Sequence, residues 1–257
     1  MDILSLDGFL ASNRVSYSLT RNFSTTAASS VRINVYNATG NISTGTFAGT
    51  DRNGTLITGA TAGFPQLVTT GSSSGYISGA EYYWDVAGTL LVQDLIMKMG
   101  TFAATGDTQA ITMPSHSRAY PTYASIGMGL ECTSLVSGTV AITINYTDDN
   151  NTALATTFTL TGSNIVGRVI QVPLSSNYGV KTVTDITVSG GTTGAFNIIL
   201  YRDLFFSRCL SNQPVVINNM VQIGFPKIFP DTALNVVCIS DGSVTGQPSV
   251  TLEVAGL

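Results

Sequence analysis

Charge is scarce in this 257-residue chain: Asp, Glu, Lys and Arg together make up 10% of it. A soluble domain ordinarily puts charge on roughly a quarter of its surface positions. Ser, Thr, Asn and backbone groups must therefore carry most of the polar surface. The eleven basic residues are scattered and the net charge is -4, so there is no cluster of Lys and Arg to neutralise phosphates. Nucleic acid is not expected as a partner, and the start lacks the basic arm that a genome-packaging coat protein would use.

Histidine occurs once, at His116. A Ser-His-Asp or Cys-His device would have to be built on that residue, and no nucleophile-elbow sequence is present. The glutamates are only Glu81, Glu131 and Glu253, far apart in sequence, and nothing points to the facing carboxylate pair of a glycosidase. Cys132, Cys209 and Cys238 are odd in number and widely spaced, so neither a disulfide framework nor a zinc site follows. Their apolar neighbourhoods suggest buried thiols, with a bridge between Cys209 and Cys238 left open. The glycines Gly190, Gly191 and Gly194 lack the Lys-Ser/Thr ending of a phosphate loop. Asp148-Asp149-Asn150-Asn151 is the sole acidic cluster; it lacks the ligand spacing of an EF-hand and reads as a hairpin tip. No catalytic residue, cofactor or metal is expected.

Apolar runs stay below the ~18 residues of a membrane span. The longest, 86–99, is interrupted by Gln93, Asp94 and Lys98. Asp2 and Asp7 stand where a signal peptide would be basic, so export by that route is not expected. Low charge combined with a mean hydropathy of +0.29 has two readings of equal standing. Apolar surface is buried between subunits, or a chain rich in Val and Thr simply scores high.

The positive signal is a period of two. Val140, Ile142, Ile144 and Tyr146 alternate with Ala141, Thr143, Asn145 and Thr147, which turns one face of a strand to a core and the other to water. Phe158 and Leu160, then Ile170, Val172 and Leu174, then Ile186 and Val188, then Phe196, Ile198 and Leu200 repeat the pattern. DDNN, GSN, SSNYG and GGTTG separate the runs with turn chemistry. Short strands without crossover helices predict an all-β fold, an antiparallel sandwich or jelly roll.

Around this block, residues 1–13 place Ile3, Leu6 and Leu10 on one helical face, and a docking arm is as good a reading as a short helix. Residues 1–80 read as an N-terminal arm and short-strand region, 81–257 as the sandwich domain. Leu91, Leu95 and Met99 fit helical spacing, but Gly88-Thr89 before a leucine-rich run favours a strand. Tyr82, Tyr83 and Trp84 form an aromatic cluster, read as core or subunit contact ahead of a sugar-stacking platform. Residues 114–121 read as a surface loop carrying His116 and Arg118. The run Val250, Leu252, Val254 reads as a strand that closes or pairs a sheet edge.

The succession LLVQDLIMKMG, TQAITMPS, ITINYTDDNN, GSNIVGRVIQ and NYGVKTVTDITVSGGTTGAFNIILYRDL resembles structural proteins of tailed bacteriophages and prophages, over roughly residues 90–204. After Tyr146 the pattern departs: related sequences tend to place a glycine and an arginine soon after the turn, where this chain has DDNNTALATT. The resemblance implies a non-enzymatic virion protein, assembled in the host cytoplasm, that decorates or cements a capsid or builds neck or tail parts. It further implies a homo-oligomer, a trimer by analogy, meeting the major capsid protein or other virion proteins. The interface residues expected on this reading are Ile3, Leu6, Phe9, Leu10, Tyr82, Tyr83 and Trp84. A carbohydrate-binding host-recognition module is the alternative.

Overall fold

The computed structural model describes residues 12–22, 31–36, 38–41, 51–67, 74–119, 122–210, 216–224, 226–242 and 246–256. The expected arm residues Ile3, Leu6, Phe9 and Leu10 lie outside them. In chain order the strands are β1 (Arg14–Asn22), β2 (Arg32–Asn34), β3 (Thr39–Gly40), β4 (Thr55–Leu56), β5 (Gly75–Tyr83) and β6 (Gly88–Ala103). Next come β7 (Gly106–Ala110), β8 (Ile126–Cys132), β9 (Ser137–Thr147), β10 (Ala153–Leu160), β11 (Arg168–Gln171) and β12 (Thr182–Thr193). Then follow β13 (Ala195–Cys209), β14 (Val216–Asn219), β15 (Lys227–Ile228), β16 (Leu234–Ser240) and β17 (Ser249–Ala255). Among the described residues the only helical pieces are one turn each, Tyr123–Ser125 and Met220–Ile223. The fold is all-β with antiparallel sheets, consistent with a sandwich or jelly roll.

The chain forms two compact units: Met1–Phe47, Thr58–Asp94 and Leu204–Leu257 make one, Ala48–Ile57 and Leu95–Asp203 the other. This differs from the expected division at 80/81. That position falls inside β5, and β1 pairs with β17 from Arg14↔Ala255 to Thr20↔Ser249. Strand pairing across the whole sequence, which local pattern cannot reveal, sets the units.

In the second unit, β10-β9-β12-β7 form one sheet. Val140, Ile142, Ile144 and Tyr146 are buried, as their alternation predicts, together with Ile186 and Val188 of β12. Each such side chain contributes about 1.5–3 kcal/mol when removed from water. The opposite face replaces charge with hydroxyls: Thr143 meets Thr157 at 3.0 Å and Thr147 meets Thr182 at 2.6 Å. These cross-strand pairs show how the sheet stays wettable with so little charge. At the β9–β10 tip the Asp148 carboxylate accepts from the Thr152 amide at 2.9 Å, and Asn151 takes φ 61°. A hairpin tip is thus what the acidic cluster builds. Asn tolerates this left-handed backbone where Ala does not. Asn151→Ala is expected to cost about 1 kcal/mol in a denaturant titration, while Asn151→Gly stays near wild type.

The other sheet elements of this unit are β13-β8-β11, with β4 paired to β6 at Thr55↔Lys98, and β13 also paired to β6. Phe196, Ile198 and Leu200 of β13 join Met128 and Leu130 of β8 in the core, fully buried. In β11 the alternation slips: Val169 is buried and Ile170 only partly so.

In the first unit the order is β14-β5-β17-β1-β3, with β15 also on β5, and β16 lies between β2 and β6. β17 therefore sits inside its sheet, between β5 and β1, with Val250, Leu252 and Val254 buried. The strand expected to close or pair a sheet edge pairs on both of its sides, with β5 and with β1. β6 is a strand from Gly88 onward, and its ladder with β16 runs from Ser240↔Gly88 to Leu234↔Asp94. Nearly every one of its residues is buried, so no alternation marks it. A strand covered on both faces reads as a continuous apolar run.

Candidate functional site

Catalysis in a β protein needs titratable groups that converge on a cleft. Here the buried ones are engaged in holding the chain. Arg118 is 1% exposed, and its guanidinium donates to the carbonyls of Ile57, Leu95 and Ile96, the last at 2.8 Å. His116 is buried too, its ring edge-on to Tyr123 with centroids 5.3 Å apart, while the Tyr123 hydroxyl donates to the His116 carbonyl at 3.2 Å. Residues 114–119 are a loop with Ser115 and Ser117 exposed, but His116 and Arg118 are not carried at its surface as expected: Arg118 turns inward to carbonyls of distant segments and His116 packs against nearby Tyr123. In the first unit Arg21 is buried and donates to the carbonyls of Ala38 and Gly63, and burial lowers its pKa. Asp94 accepts from the Ala233 amide at 3.2 Å and the Thr232 hydroxyl at 3.4 Å. Lys98 and Glu131, on β6 and β8, form an ion pair at 2.9 Å, almost wholly shut off from solvent. No sequence signal announces this pair, since the two residues are widely separated and each stands in an apolar run.

The aromatic cluster divides. Tyr82 and Trp84 are buried, Tyr82 edge-on to Phe205 with centroids 6.0 Å apart, and only Tyr83 is open, at 42%. Strand alternation explains this: β5 carries Tyr82 inward and Tyr83 outward, and Trp84 follows at the turn. Of the three, Tyr83 alone is placed where another molecule can meet it. Sequence reasoning did not single out the other open apolar side chains, Phe206 and Leu210 in the same unit and Leu56, Leu135, Val166 and Tyr178 in the second. Phe206 is the most open, at 69%.

A cleft of about 350 Å³ in the second unit is lined by Gln171, Ser176, Asn177, Tyr201 and Asp203, together with Gly127. Gly127 stands opposite Tyr201, and a Cβ there would meet the tyrosine ring at 2.9 Å. Among the described residues, no His, Lys, Arg or Cys lines this cleft. Its amides, hydroxyl and carboxylate suit hydrogen bonding to a polar ligand.

The three cysteines are buried free thiols. Burial pushes the Cys132 thiol up to about 12, with Arg168 opposing and Glu131 reinforcing. Cys209 and Cys238 shift upward as well, again chiefly through burial. A thiol that keeps its proton in the fold but loses it near pH 8.5 when unfolded adds stability in full below that pH. As pH rises from there towards 12, that contribution is lost at up to about 1.4 kcal/mol per unit. Urea titrations from pH 8 to 10.5 are expected to show a steeper loss of stability for the native chain than for Cys132→Val.

No family model matches the chain, and no curated protein matches it. Among solved structures, the chain is similar to VP2 of infectious bursal disease virus in a subviral particle. That match has 9% identity and a TM-score of 0.21, covering 96% of this chain and 81% of that one. The structure of infectious bursal disease virus Gx strain gives 10% identity and a TM-score of 0.22, over 96% and 80%. These neighbours are viral capsid proteins; at such TM-scores the likeness carries no argument.

Proposed function

We propose that this chain is a non-enzymatic structural protein of a tailed-phage virion, acting as a homo-oligomeric decoration or cement protein of the capsid. The observation that carries the reading is the use made of the charged side chains. Arg118, Arg21, Asp94 and the Lys98–Glu131 pair are buried and bound to the fold, while hydroxyl pairs and separate apolar side chains face outward. Such a surface suits burial against other protein chains better than turnover of a substrate. The phage assignment rests on the resemblance over residues 90–204. In this role Tyr83, together with Ile3, Leu6, Phe9 and Leu10, meets neighbouring subunits or the major capsid protein. A protein that binds the assembled shell in preference to free capsomers stabilises it by mass action. Decorated particles are expected to survive heat and low salt better than stripped ones, with resistance restored on adding the protein back. Equal resistance of the two would remove the cement role.

The polar cleft beside the open ring of Tyr178 favours a second reading, a glycan-binding host-recognition component. A glycan array settles between them: selective hits lost in Asn177→Ala support recognition, and a blank array counts against it.

A further inference from the structure

The Lys98–Glu131 pair has a third member. In strand order β6, β13 and β8 are neighbours, and Asn197 stands on β13, directly opposite Glu131 of β8. Directly opposed residues of an antiparallel pair share a face, with Cβ atoms about 5 Å apart. The Asn197 side chain lies against Gly100, two residues beyond Lys98 on β6, where a Cβ would fall 3.1 Å from its carboxamide carbon. Lys98 and Gly100 share a face of β6, so the Lys98 ammonium, 2.9 Å from the Glu131 carboxylate, is brought to the side of these strands on which the Asn197 carboxamide lies. All three are at most 2% exposed. The Thr101 hydroxyl donates to Oδ1 of Asn197 at 3.3 Å.

These groups, so arranged, have a chemistry of their own. An amine, a carboxamide and a carboxylate brought together away from water are the reactants and the proton carrier of an amide exchange. We propose that Lys98 and Asn197 join in an isopeptide bond formed by the protein on itself, with Glu131 as the catalytic carboxylate. Glu131 takes a proton from the Lys98 ammonium, and the freed Nζ attacks Cγ of Asn197. The hydroxyl of Thr101 steadies the negative charge that grows on Oδ1. Glu131 then protonates Nδ2, the Cγ–Nδ2 bond breaks, and ammonia departs. The new amide nitrogen returns a proton to Glu131, which passes it to the leaving ammonia. The balance is one lysine ammonium and one carboxamide giving one secondary amide and one ammonium ion, with no oxidant or cofactor. The bond would tie β6 to β13 within the second unit. This inference is independent of where the protein works.

Intact-mass spectrometry of the purified, denatured full chain tests it. The expected mass falls short of the sequence by one ammonia, and peptide mapping gives a branched peptide joining Lys98 to Asn197. The deficit is expected to vanish in Lys98→Arg, Asn197→Ala and Glu131→Gln. Asn197→Asp retains the acyl carbon and is expected to yield the same branched product by losing one water. Should a variant fail to fold, the wild-type peptide map and Asn197→Asp still decide. A full-mass chain, or a deficit that persists in Lys98→Arg, overturns the proposal. The persistent deficit is what a succinimide at Asn53-Gly54 would give.

Discussion

Trp84→Ala is expected to destabilise the first unit by about 3–5 kcal/mol, the range for removing a large buried aromatic side chain. The indole is 1% exposed and is the largest fully buried side chain among the described residues. Its surroundings cannot collapse easily into the space. The backbone of Gly88 is pressed against the ring, and a Cβ on Gly246 would lie 2.7 Å from the indole nitrogen. Both contacts are to turn or strand backbone, which is fixed by its own ladder on the Gly88 side. Tyr83→Ala, one residue away, is expected to stay within about 0.5 kcal/mol of wild type, as exposed substitutions do. If Tyr83 instead meets a partner, its loss shows in assembly. Urea titration measures the first effect and light scattering or particle binding the second. Equal stability losses in both variants would contradict the inward and outward placement along β5.

The second large effect is expected at Arg118. Arg118→Met keeps most of the side-chain volume but deletes the guanidinium that serves the carbonyls of Ile57, Leu95 and Ile96. A buried acceptor left without its donor costs about 1–3 kcal/mol. Ile96 retains a bond from the Ile57 amide at 2.9 Å, so its carbonyl is not stranded, and the net loss is expected near 3 kcal/mol. Because the site is buried, the loss is expected to persist in high salt, unlike that of a surface ion pair. Arg118→Lys is expected to recover part of it, since the three carbonyls are served by the single nitrogen Nη2, whose place an ammonium at the end of a shorter side chain can approach. A denaturation series at low and high salt checks all three statements. A wild-type midpoint for Arg118→Met would mean that the carbonyls are served from elsewhere.

The strands of the second unit were readable wherever one face is dry and the other wet. Val140 to Tyr146 announces β9, and Asp148 to Asn151 its turn, because a half-buried strand writes its geometry into alternate residues. β6 was ambiguous for the opposite reason, being buried on both faces. The position of β17 was not legible at all: its alternation says that one face is dry and nothing about how many strands flank it. Arg118 and His116 were misplaced as surface residues because their partners, Ile57, Leu95 and Ile96 for the one and Tyr123 for the other, are set by tertiary packing. The Lys98, Glu131 and Asn197 group was invisible for the same reason. Of the aromatic triplet, period-two alternation alone could have separated Tyr83 from Tyr82.

The place of β17 between β5 and β1 also sets a timetable. The ion pair of Arg14 with Glu253 joins residues 239 apart in sequence, and the whole β1–β17 ladder is of that span. While a ribosome is still translating the middle of the chain, β1 and β5 have no strand to lie between them and expose two ladders of unpaired amides. The first unit can close only after β17 has been made, so its folding is delayed, and such long-range pairing is intrinsically slow. The second unit draws nearly all its strands from one continuous stretch and can be complete while the first is still waiting.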